Sequence, residues 1–188
     1  MPQLNFDQRK QIIAGYDQMI EEIIENDDAT AYYVSFMFNQ LPGSDRTRRE
    51  IMKREVARFH DILTNHTVRK RKAQGWRDLV PVLIGAPDYP VIKKEKADAK
   101  LYQVNDGLHF NAIVLVPPRK RPSPNGKRSR MKESLRKHVD LKRERYLTAR
   151  LGRIHVTRVG TSTSMTEYML KAFRRGRISS DDILVLNS

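Results

Sequence analysis

Tyr168 and Lys171 stand three residues apart in Glu167-Tyr168-Met169-Leu170-Lys171, a stretch that reads as helix. That spacing places the phenol and the ammonium on one helix face. A phenol becomes a nucleophile when it gives up its proton, and an adjacent ammonium favours the phenolate or orients a phosphate. Upstream, His109-Phe110-Asn111 lies in a segment that reads as strand. Side chains two apart on a strand share a face, so His109 and Asn111 point together and Phe110 points away. An imidazole nitrogen and an amide oxygen suit Mg²⁺ or Mn²⁺ beside a phosphate, where the ion acts as a Lewis acid. Each pattern also has a plain reading. Tyr-x-x-Lys is equally an interfacial tyrosine with a lysine lying along the surface, and His-x-Asn is equally the polar face of a half-exposed strand.

The elements that must position these residues come from periodicity. Residues 7–26 carry Ile12, Ile13, Tyr16, Met19, Ile20, Ile23 and Ile24 at helical spacing. Residues 31–38 (AYYVSFMF) are aromatic and β-branched, and predict a strand. Ser44 is the expected N-cap of a long helix whose apolar stripe includes Ile51, Val56, Phe59, Ile62 and Leu63. Strands are predicted over 79–85, 108–116 and 153–159, and a charged helix over 131–149. Ser164-Met165-Thr166-Glu167 fits a capping box that starts the tyrosine helix, with Gly176 as its stop. The order is helix, strand, helix, strand, strand, helix, strand, helix. Such an order predicts an α+β fold of the ferredoxin-like or RRM-like kind: an antiparallel sheet with helices on one face, leaving the other open for a ligand.

Charge narrows the class of ligand. The 188-residue chain is long enough for one domain and carries a formal charge of +14. That excess favours a polyanion, nucleic acid before an acidic membrane surface. It is not spread evenly. Residues 1–30 hold seven acids and two bases, whereas 119–150 hold thirteen bases and three acids. Candidate phosphate contacts are Arg69, Lys70, Arg71 and Lys72; Arg119, Lys120, Arg121, Lys127, Arg128 and Arg130; and Arg174 and Arg175 beside the tyrosine helix. Cysteine is absent, which excludes disulfides and thiolate metal sites. No apolar run reaches the length of a membrane span, and the expected compartment is the cytoplasm.

The strand Tyr32-Tyr33-Val34-Ser35-Phe36-Met37-Phe38-Asn39, the strand Gly107-Leu108-His109-Phe110-Asn111-Ala112-Ile113-Val114 and the helix Tyr168-Met169-Leu170-Lys171 occur in one order. That constellation resembles the HUH endonuclease superfamily, in particular the Rep-type rolling-circle replication initiators and their relaxase and transposase relatives. The resemblance covers about 31–175. It implies a divalent metal (Mg or Mn) on His109 and Asn111, Tyr168 as nucleophile and Lys171 as its helper. The implied reaction is a transesterification in which Tyr168 attacks a phosphodiester of single-stranded or hairpin DNA. A free 3′-hydroxyl is left, and the 5′-phosphate stays joined to the tyrosine until the strand is transferred back.

One departure stands out: the second metal position is Asn111 where the family has His. The family often adds an acid from the neighbouring strand. Asp88 is the candidate here, with Gln103 and Asp106 as alternatives. On this reading 1–30 is an N-terminal amphipathic helix, 31–178 the nuclease-like domain and 179–188 a C-terminal tail. The chain ends soon after Lys171, so unwinding is expected from a separate helicase partner. Two rival readings remain open: a non-catalytic nucleic-acid-binding module of the same fold, and a basic structural protein of the ribosome or nucleoid. His60, His66, His138 and His155 are expected in structural or surface roles, and Trp76 as a core anchor.

Overall fold

The computed structural model describes residues 4–68, 76–89, 104–118, 131–159 and 163–187. Helix α1, Phe6–Asp27, opens on a capping box between Asn5 and Gln8 and is followed by strand β1, Thr30–Phe38. Ser44 caps helix α2, Asp45–Thr67, its side chain accepting from the Thr47 N–H as the sequence predicts. Strands β2, Val82–Asp88, and β3, His109–Val116, follow. Two short helices, α3, Leu135–Leu141, and α4, Arg143–Tyr146, stand where one was expected, because Lys142 leaves helical geometry (φ −116°). Then come β4, Leu151–Arg158; α5, Thr163–Met169; α6, Lys171–Arg174; and β5, Leu184–Leu186.

The five strands pair antiparallel in the order β4-β1-β3-β2-β5. The stretch from β1 to β4 is a βαββαβ unit, and the order 4-1-3-2 makes the chain an α+β protein of the ferredoxin-like kind. The edge strand β5 lies in residues read from sequence as a tail. Among the described residues it pairs with Leu83, Ile84 and Gly85 of β2.

Alternation along the strands builds two cores. Val34, Phe36, Phe110, Ala112 and Val114 meet Met52, Val56, Phe59 and Leu63 of α2, and Leu135, Val139 and Tyr146 of α3 and α4. The Phe36 and Phe59 rings pack edge-on with centroids 5.0 Å apart. The helices of the βαββαβ unit thus lie on one face, as expected. The other face is not left open. Tyr33, Ile84, Ile113 and Leu115 are apolar or aromatic there too, and α1, α5 and α6 cover them with Ile13, Ile20, Met169, Leu170 and Phe173. The acidic first helix therefore packs on the sheet beside the tyrosine helix. Thr166 of α5 donates a buried 2.7 Å hydrogen bond to Asp17 of α1. No helix among the described residues is long and apolar enough to cross a membrane.

Candidate active site

The sheet register brings the polar residues of three strands to one spot. On the face that carries α1, α5 and α6, Asn111 of β3 lies opposite Ser35 of β1, and His109 lies opposite Asp88 of β2. Strand β2 begins and ends three residues later than the apolar run 79–85 predicts. Asp88 is consequently its last residue and a cross-strand partner of His109. Beyond Gly85 the outer side of β2 is not paired with β5, which is where a strand tolerates Pro87.

Hydrogen bonds fix each member. His109 Nδ1 lies 3.0 Å from the Gly107 carbonyl oxygen, and a neutral ring that donates there presents a bare Nε2 to the site. The Asn111 amide nitrogen donates to Asp88 Oδ2 at 2.9 Å and lies 3.2 Å from His109 Nε2. Ser35 Oγ donates to Asn111 Oδ1 at 2.9 Å. The Asp88 carboxylate is fully buried. Its Oδ2 also lies 2.6 Å from Lys171 Nζ and 3.4 Å from His109 Nε2, while Oδ1 has no hydrogen-bond partner among the described residues.

Lys171 joins this cluster to the tyrosine. Its ammonium sits 4.4 Å from the centre of the Tyr168 ring, within cation–π range. The helix breaks at Leu170 (φ −95°, ψ 20°), so Tyr168 ends one helix and Lys171 begins the next. Met169 and Leu170 are buried and anchor the junction, while Tyr168 is 52% exposed. The backbone helix already runs at Thr163, which places Ser164 inside α5 and not at its cap. The Tyr168 ring leans on Tyr33, centroids 5.8 Å apart. Burial pushes the Tyr33 phenol well above the ordinary range, with the neighbouring Tyr168 and Asp88 adding to the shift and a hydrogen bond with Ser35 opposing it. Tyr33 therefore stays a neutral phenol beside the exposed one.

Tyr168, Lys171, His109, Asn111 and Asp88 thus form one chain of contacts. Asp106, weighed as an alternative acid, faces Arg48 instead, 2.6 Å away at the surface. Gln103 lies outside the described residues, as do Arg69, Lys70, Arg71, Lys72, Arg119, Lys120, Arg121, Lys127, Arg128 and Arg130. Arg174 turns to Glu167 at 2.8 Å, and Arg175 is exposed. His60 contacts the Pro81 carbonyl, and His138 lies between Glu133 and Tyr146, both in structural settings. His155 is exposed on β4, and Trp76 packs on Val68, Leu79 and Val80. Sequence reasoning assigned no role to Ser35, Tyr33 or the Gly107 carbonyl. The first two stand in the aromatic strand 31–38, two residues apart, which is the signal that puts them on one face.

No family model, curated protein or solved structure matches this chain.

Among the described residues no three His, Asp or Glu side chains group as a metal site. With these residues, a site at the His109–Asp88 pair takes the Asn111 amide as its third ligand. Donor atoms of one octahedral shell with bonds near 2.1 Å lie about 3 Å apart. His109 Nε2, Asp88 Oδ2 and the Asn111 amide are separated by 2.9, 3.2 and 3.4 Å, which matches. Exchanging the two ends of the amide brings its oxygen to that position, and Ser35 then accepts where it now donates. The buried, unpartnered Asp88 Oδ1 adds a further oxygen. The donor set therefore fits a hard divalent cation.

Proposed function

We propose that the protein nicks and rejoins single-stranded DNA by tyrosine-mediated transesterification, as in replication initiation or mobilisation of a plasmid, phage or mobile element. The observation that carries the reading is the continuous contact from the exposed Tyr168 through Lys171 to Asp88, His109 and Asn111. The +14 charge supports a nucleic-acid substrate.

Tyr168 Oη attacks the scissile phosphorus. The Oη–P bond forms, the P–O3′ bond breaks, and the phenol proton is lost to solvent while the leaving 3′ oxygen gains one. The product is a 5′-phosphotyrosine and a free 3′-hydroxyl. Attack by a 3′-hydroxyl on the phosphotyrosine reverses the bond changes and rejoins the strand. His109, Asn111 and Asp88 would hold a divalent ion, which would supply Lewis-acid stabilisation to the phosphate. Lys171 adds a cation beside the nucleophile, and Tyr33 supports its ring with a phenol that keeps its proton. Asp17, through Thr166, ties the helix that carries Tyr168 to α1.

One observation favours a second reading. The Asp88–Lys171 pair and the Asn111 amide satisfy much of the cluster internally, as a module that holds DNA without cutting it would. Incubation with Mn²⁺ and single-stranded hairpin oligonucleotides separates the two. The nuclease reading expects a covalent adduct on a denaturing gel, abolished in Tyr168→Phe and His109→Ala. Binding without adduct across several metals favours the module, and an adduct retained by Tyr168→Phe overturns the assignment of the nucleophile.

A further inference from the structure

A buried carboxylate needs a counter-charge. For Asp88 the nearest is the Lys171 ammonium, 2.6 Å away, and it approaches the same oxygen that Asn111 and His109 face. Three groups thus crowd Oδ2, while Oδ1, also buried, has none among the described residues. Oδ2 is the carboxylate atom on which the other two metal-type donors, His109 Nε2 and the Asn111 amide, converge. An ammonium and a divalent ion repel at such range and cannot both hold it.

We propose that Lys171 is the resident counter-ion of the metal position: it holds Asp88 in the metal-free protein, and a divalent cation loads by displacing it. This rests on the metal site in the reading above and adds its regulation. The direction of displacement follows from the geometry. Lysine is a point charge on a flexible four-carbon stem, and the Lys171 ammonium already lies 4.4 Å from the Tyr168 ring centre. Released from Asp88, it remains beside the nucleophile, free to meet the phosphate on which negative charge builds. Loading the ion and arming the tyrosine become one event. A merely structural ion pair has no such consequence, since metal affinity then does not depend on Lys171.

The test uses the full chain and no DNA. Mn²⁺ binding is followed by electron paramagnetic resonance of the free ion for wild type, Lys171→Met, Asp88→Asn and the double variant. Lys171→Met keeps the stem and removes the charge. It is expected to bind Mn²⁺ at least about tenfold more tightly than wild type, and Asp88→Asn is expected to abolish that gain. Equal or weaker binding by Lys171→Met overturns the proposal, as does tight binding that survives Asp88→Asn in the double variant. A second readout needs no variant. Acylation of Lys171 by an N-hydroxysuccinimide ester, measured by mass spectrometry, is expected to rise when Mn²⁺ is added to wild type. Unchanged labelling under saturating Mn²⁺ overturns the proposal even where Lys171→Met does not fold. Displacement without any DNA adduct leaves this proposal standing and sinks the nuclease reading. An adduct with unaltered Mn²⁺ affinity in Lys171→Met does the reverse.

Discussion

On one face of the sheet, Phe36, Phe110 and Val114 pack against Phe59 and Tyr146; on the other, the same strands present Tyr33, Ser35, His109, Asn111 and Asp88. Residues adjacent in sequence obey different rules as a result. On the first face stability follows apolar area and shape, because nothing but contact holds Phe110 in place. On the second, the buried Asp88 must be neutralised by Lys171 and engaged by Asn111. The strand period of two lets β3 supply the first core from one face and the His109–Asn111 cluster from the other. Removing one of these side chains should therefore cost mainly folding on the first face and, on the proposed function, mainly activity on the second.

The sharpest form of that contrast is the pair Phe110→Ala and His109→Ala. Phe110→Ala empties a fully buried ring site and is expected to lose about 3–5 kcal/mol in urea unfolding. His109→Ala, one residue earlier and partly exposed, is expected to lose under about 1 kcal/mol, yet to abolish adduct formation and Mn²⁺ binding. Similar stability losses for both would show that the two faces of β3 do not differ in this way.

Gly85→Ala probes both faces together. A methyl there meets the Asn111 carbonyl oxygen at 2.6 Å, Ala112 Cβ at 2.7 Å and Phe110 Cε1 at 2.7 Å. The β2–β3 pairing that sets Asp88 against His109 must give way. A loss of about 1–3 kcal/mol is expected, together with weaker Mn²⁺ binding measured under folding conditions. Thr166→Val leaves the Asp17 carboxylate without its hydroxyl donor. It is expected to destabilise by about 1–2 kcal/mol and to slow adduct formation while leaving Mn²⁺ affinity at the wild-type value.

The smallest effect is on pH. Tyr33 is shifted upward mainly by burial, and Tyr89 is raised to about 12 by burial and its hydrogen bond to Asp45. Both values lie above the 10.0 of a free phenol, so above that pH the folded form holds protons that the unfolded chain has shed. Their contribution is complete below pH 10 and declines as pH rises toward 12. Denaturant midpoints measured across pH 9–12 should fall, and less steeply in Tyr33→Phe.

The same contrast explains what the sequence made legible. β1 and β3 announced themselves because both faces are apolar along most of their length, and α2 because Ser44 caps an amphipathic stripe. The placement of β2 slipped by three residues, since the apolar run 79–85 outweighs the Gly85-Ala86-Pro87-Asp88 that completes the strand. Cross-strand register, not local pattern, makes Asp88 a partner of His109. β5 has three residues and no period to read, and it is held by pairing with β2. The covered second face was missed because α1, α5 and α6 lie outside the βαββαβ unit. At the site, Tyr168, Lys171, His109 and Asn111 were legible from spacing. Ser35 and Tyr33 were not, because their roles come from strands paired across long separations.

Peptide mapping of the Mn²⁺-dependent adduct by mass spectrometry puts the proposed nucleophile, Tyr168, to the test, since a second phenol, Tyr33, lies beside it. A 5′-phosphonucleotide is expected on the peptide containing Tyr168. A nucleotide mapped to Tyr33 or to any other residue contradicts that assignment.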